Sequence, residues 1–139
     1  MAVEIDIDYQ GDLQCIAKHG PSGITLVTDA PVDNGGKGAT FSPTDLVATA
    51  LGTCMVTIMG IAAQRAGLDI TGAHVHVVKE MTADPVRRIG ALTVKVIFPK
   101  GTHYSDADRA KLEQAAKICP VKQSLHPDTK VVMEVIYPE

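Results

Sequence analysis

Ser42-Pro43-Thr44-Asp45-Leu46-Val47-Ala48-Thr49-Ala50-Leu51-Gly52-Thr53-Cys54-Met55 opens a segment that carries no charge from Leu46 to Gln64. Its first four residues predict a helix start. Ser42 suits the N-cap, Pro43 suits the first helical position, and Asp45 completes a capping box while complementing the helix dipole. The helix should run to about Ala66, with Gly67 as its stop. The uncharged stretch is nearly long enough to span a bilayer. However, Thr49, Thr53, Thr57, Gly52 and Gly60 interrupt it, and amphipathic patterns flank it. A helix that is apolar on all sides is also the form of a central core helix, which is the reading preferred here, with no membrane partner.

Working outward, Val3, Ile5, Ile7 and Tyr9 alternate with Glu4, Asp6, Asp8 and Gln10, the pattern of a half-buried strand. Gln10-Gly11-Asp12 reads as a turn, Leu13 to Lys18 as a second strand and Ile24 to Thr28 as a third, together an antiparallel meander. Asp29 to Phe41 is a Gly-, Asp- and Asn-rich loop. Beyond the long helix, Ile70 to Met81 and Ile89 to Phe98 are strands joined by a turn at Thr82-Ala83-Asp84-Pro85. Ser105 and Asp108 cap a helix running to about Ile118. Pro120 starts a short third helix that ends by His126-Pro127-Asp128, and Lys130 to Tyr137 is a last strand. The order predicts an α+β fold with antiparallel sheet, not alternating βαβ units. With 139 residues, the chain is read as one domain, residues 1–139, large enough to bury about two thirds of its unfolded surface.

The formal net charge is −3 and only 4% of residues are aromatic, so neither a basic footprint nor stacking platforms for nucleic acid are present. Met1-Ala2-Val3-Glu4 leads straight into a strand pattern and does not read as a signal peptide. Cys15, Cys54 and Cys119 form no CxxC or zinc spacing, which points to a reducing, cytoplasmic compartment with cysteines either buried or catalytic. No metal or organic cofactor is expected.

Each cysteine has two readings. Cys54, mid-helix, is a small buried hydrophobe or a nucleophile that needs activation from elsewhere. Cys119, just before Pro120, sits at a helix N-cap. It is a cap or core residue, or a thiol whose pKa the helix terminus lowers. Cys15 alternates with Leu13 and Ala17 on an apolar strand face and reads as core. Asp45 and Cys54, nine residues apart, point to opposite sides of a helix at roughly 100° per residue and lie about 13 Å apart along it, so Asp45 reads as a cap. His74 and His76 share a strand face without a visible third ligand. His19, His103 and His126 fall at turns or element ends, where any could serve in acid–base chemistry. Asn34-Gly35-Gly36-Lys37-Gly38-Ala39-Thr40 lacks the order of a phosphate-binding P-loop and reads as a flexible functional loop.

Gly38-Ala39-Thr40-Phe41-Ser42-Pro43-Thr44-Asp45-Leu46, then Ala50-Leu51-Gly52-Thr53-Cys54, resembles the hallmark of the OsmC/Ohr family of osmotically inducible and organic hydroperoxide resistance proteins. Cys119-Pro120-Val121 followed by Leu125 resembles the family's second cysteine motif, so the likeness covers essentially the whole chain. The resemblance implies an intertwined homodimer with antiparallel sheets wrapped around long central helices and active sites at the subunit interface. It also implies a peroxidatic Cys54, a resolving Cys119, an organic hydroperoxide substrate and a thiol reductant. Two features depart from it. The best-studied members have glutamate where Thr44 stands, paired with an N-terminal arginine, whereas no arginine here precedes Arg65. Lys18 or Lys37 would then supply the positive charge, and Asp45 would stand in for the glutamate. The same departures keep open a dimer that binds a small apolar ligand or partner with little turnover. A third reading, Cys–His acyl chemistry at Cys54, has no paired motif behind it.

Overall fold

The computed structural model describes residues 1–138, and the chain forms two compact units, residues 1–47 and 48–139. In the first, β1 (Ile5–Gly11), β2 (Gln14–His19) and β3 (Thr25–Asp29) make an antiparallel sheet in that order. The first hairpin turns on Asp12 and Leu13, with φ of 53° and 65°. Leu13 therefore belongs to the turn and not, as expected, to the second strand. Positive φ at both central residues is what a two-residue hairpin requires to match strand twist. Two hydrogen bonds hold the leucine in this disfavoured conformation: its N–H donates to Tyr9 Oη (3.2 Å) and its carbonyl accepts from Ala30 N–H (3.2 Å).

Cross-strand partners share a sheet face. Ile7 is opposite Ala17, itself opposite Leu26, while Tyr9 is opposite Cys15, itself opposite Thr28. This face is apolar as the alternation predicts, yet Ile5, Ile7, Tyr9 and Leu26 are 59, 64, 65 and 44% exposed. The loop that follows carries a 3₁₀ turn, η1 (Val32–Asn34), and is tied to itself. Asp29 Oδ2 accepts from Ala39 N–H (3.0 Å), Asp29 N–H donates to Phe41 O (3.1 Å), and Gly36 N–H donates to Pro31 O (3.0 Å). A Cβ at Gly36 would fall 1.8 Å from the Ala30 carbonyl oxygen, so glycine is required for this closure. The stretch expected to be flexible is a braced connection into the next helix.

That helix, α1 (Pro43–Arg65), has 23 residues and carries the predicted capping box. Ser42 Oγ accepts from Asp45 N–H (3.1 Å) and Asp45 Oδ2 accepts from Ser42 N–H (2.9 Å). Its far end closes as a Schellman motif: Gly67, at φ 71°, donates to Gln64 O and Leu68 N–H donates to Ala63 O. By length and composition α1 could cross a membrane. Here Ala48, Leu51, Gly52, Met55, Met59 and Ala63 are buried at helical spacing, the stripe of a core helix.

In the second unit, β4 (His74–Thr82), β5 (Arg88–Ile97) and β6 (Lys130–Ile136) form a sheet in that order. The α+β class stands, with one correction: β6 runs parallel to β5, not antiparallel. The connection carries α2 (Asp106–Lys117) and α3 (Pro120–Gln123), which gives it the length that a parallel crossover needs. Leu92, Val94 and Val96 of the central strand are fully buried. They pack in one cluster with the buried face of α1 and with Phe98, Leu112, Ala116 and Cys119. Gly52 lets β4 approach the helix, since a Cβ there would sit 2.7 Å from Val77 Cγ2 and 3.2 Å from Val75 Cγ1. Phe98 stacks on Tyr137 (4.9 Å) and meets Tyr104 edge-on (5.4 Å). Burial, with the Glu113 carboxylate beside it, pushes the Tyr137 phenol well above its ordinary range.

A buried thiol pair as the candidate site

The second unit brings Cys54 near enough to Cys119 to act on its thiol, although 65 positions separate them in sequence. Cys54 projects from the middle of α1 and is half-buried, and Cys119 is fully buried, 0% exposed. The backbone of Cys119 is bolted between two helices. Its N–H donates to Ala116 O in the last turn of α2 (3.3 Å), and its carbonyl accepts from Gln123 N–H of α3 (3.2 Å). Pro120 at the first position of α3 sets the cap geometry. The cap itself is the sulfur, since Cys119 Sγ accepts from Lys122 N–H at 3.4 Å, and Val121 N–H also acts on it.

The expectation that this cap lowers the Cys119 pKa is overturned. Burial pushes the Cys119 thiol up, and Cys54 beside it pushes the same way. The Lys122 and Val121 N–H groups pull down but do not prevail. The physical reason is that α3 has only four residues. Its dipole is short, while withdrawal of the sulfur from water is complete.

The other expected residues fall elsewhere. Cys15 lies in the first unit on β2 and is half-buried. It is not core, because the apolar face it shares is itself exposed. Thr44 and Asp45 belong to the start of α1. Asp45 closes the capping box, and Thr44 Oγ1 lies 3.2 Å from Ser42 Oγ. Lys18 is exposed on β2 in register with Asp6, and Lys37 is exposed in the braced loop. His74 and His76 occupy the exposed face of β4, opposite Ile97 and Lys95. His19 Nδ1 lies 2.6 Å from Ser22 Oγ, and His126 Nδ1 accepts from Asp128 N–H, each a local turn contact. Among the described residues no group of three His, Cys, Asp or Glu side chains is placed to hold a metal. Sequence reasoning missed the Lys122 and Val121 amides at the sulfur. The signal was present in Cys119-Pro120, because a proline at the first helical position leaves the following N–H groups free for whatever caps the helix.

Comparison with known proteins places this geometry. The family model described as OsmC-like protein matches residues 35–134, which include both thiols. A proposed osmotic stress induced and detoxification response protein of Psychrobacter arcticus 273-4 is 42% identical, with 99% of this chain and 96% of that one covered and a TM-score of 0.87. Two more distant structures share the fold. The organic hydroperoxide resistance protein OsmC of Legionella pneumophila has 13% identity, coverage of 98 and 97%, and a TM-score of 0.77. OhrB of Bacillus subtilis has 15% identity, coverage of 97 and 98%, and a TM-score of 0.69. No curated protein matches the chain. The family model, the 42% identical relative and the shared fold agree: this chain belongs to the OsmC-like protein family.

Proposed function

We propose that the protein is a thiol-dependent peroxidase that reduces organic hydroperoxides in the cytoplasm, acting as a homodimer whose subunits each form one OsmC-like domain. The observation that carries this reading is that Cys54 lies near enough to Cys119 to act on its thiol. A peroxidase of this kind needs one thiol that a peroxide can reach and a second that can trap the oxidised first one. Cys54 is the partly open member and Cys119 the sealed one, which fits a peroxidatic and a resolving role in that order. The Cys54 thiolate attacks the peroxide and becomes a sulfenic acid, Cys119 condenses with it to a disulfide, and an external thiol reductant restores both. The solvated apolar face of β1–β3 supports the homodimer, because a second copy would remove Ile5, Ile7, Tyr9 and Leu26 from water. The Legionella pneumophila and Bacillus subtilis fold relatives both bear the name organic hydroperoxide resistance protein, which favours that substrate class.

The test is a thiol count. Reduced protein treated with cumene hydroperoxide is expected to lose two free thiols per chain, and Cys54→Ser is expected to abolish the loss. Unchanged thiols at excess peroxide would end the peroxidase reading and leave the binding role, with little turnover, in its place.

A further inference from the structure

The two thiols of the pair differ in how they can be approached. Cys119 is 0% exposed. Its backbone is fixed on both sides, by its own N–H to Ala116 O of α2 (3.3 Å) and by its carbonyl to Gln123 N–H of α3 (3.2 Å). Its sulfur is held as well, accepting from Lys122 N–H at 3.4 Å. Cys54 packs against the buried cluster that contains Cys119, yet is itself only half-buried. Solvent therefore reaches one thiol and not the other.

We propose that the thiol reductant attacks the oxidised pair at Cys54, so that Cys54 carries the mixed disulfide and Cys119 is the sulfur that departs. This rests on the peroxidase reading, which supplies the Cys54–Cys119 disulfide. The reductant RSH loses its proton to solvent, and the thiolate RS⁻ attacks Cys54 Sγ. A bond between the reductant sulfur and Cys54 forms as the Cys54–Cys119 bond breaks. The electron pair of the broken bond stays on Cys119, which departs as a thiolate toward the Lys122 N–H and is then protonated. A second reductant thiolate attacks the first reductant's sulfur, releasing RSSR and the Cys54 thiolate. Two electrons thus pass from two reductant thiols to the protein disulfide. Exchange depends on access and on the leaving group, and here the two oppose. Burial pushes the Cys119 thiol up, which makes it the poorer leaving group. That effect changes a rate by degrees, whereas a sealed sulfur is not attacked until the joint between α2 and α3 opens. Access therefore decides.

The experiment maps the adduct. Protein oxidised with diamide, which makes the disulfide without peroxide, is mixed briefly with 2-mercaptoethanol and quenched with acid. It is then unfolded, alkylated with N-ethylmaleimide and digested. The mercaptoethanol adduct is expected on Cys54 in at least roughly tenfold excess over Cys119. The same reaction on guanidinium-unfolded protein, where both sulfurs are open, is expected to label the two within about threefold of each other. An adduct on Cys119, or on both equally, in the folded protein would overturn the proposal. So would an undiminished Cys54 preference in the unfolded chain, because the fold would not be its cause. Absence of a Cys54–Cys119 disulfide after diamide would overturn it too. Failure of the peroxidase reading alone looks different: the Cys54 adduct forms after diamide, while cumene hydroperoxide leaves the thiols unchanged.

Discussion

The two three-stranded sheets obey the same alternation of apolar and polar residues and end in opposite states. In β4–β5–β6 the inward residues Leu92, Val94 and Val96 are fully buried against α1. In β1–β2–β3 the corresponding apolar face leaves Ile7 and Tyr9 about two thirds exposed. Periodicity fixes which residues share a face, but it does not say what covers that face. The second sheet finds its cover within its own unit, on the stripe from Ala48 to Ala63. The first leaves an apolar patch of the kind that marks an interaction surface, and in the proposed function a second copy covers it.

Three substitutions break or sharpen this contrast. The largest effect belongs to Phe98→Ala, which empties the centre of the aromatic cluster with Tyr104 and Tyr137. It should lower stability by about 3–5 kcal/mol in denaturant titration. A loss below about 1 kcal/mol would mean that the second sheet is not the stabilising core. Ile7→Glu comes next. It should cost the monomer fold little and weaken the dimer by about 1.5–3 kcal/mol per subunit, read as a shift to monomer in sedimentation equilibrium. Unchanged self-association would remove this face from the interface. The smallest is Ser42→Ala, which removes the acceptor for Asp45 N–H and should cost about 1 kcal/mol in thermal or chemical unfolding.

What could be read from the sequence was local chemistry. The capping box of Ser42 and Asp45, the stop at Gly67 and the Ser105 cap of α2 are contacts between near neighbours, and all are present. What could not be read depends on distant parts of the chain. Leu13 looked like strand because a leucine with positive φ goes against local preference, and bonds to Tyr9 and Ala30 hold it there. The last strand looked antiparallel because nothing in Lys130–Ile136 encodes the direction of its partner. The Cys119 thiol was expected to be lowered because its cap is visible in sequence, whereas the burial that outweighs the cap is tertiary. Cys54 and Cys119 were each ambiguous as residues. Only the family resemblance linked them, and the fold then put Cys54 near enough to act on Cys119.

The account stands on that proximity. Its most direct measurement is a non-reducing peptide map after one equivalent of cumene hydroperoxide. The predicted result is a single cross-linked species joining the peptides that contain Cys54 and Cys119, with Cys15 recovered as a free thiol. Recovery of all three cysteines uncrosslinked, or a disulfide that includes Cys15, would contradict it.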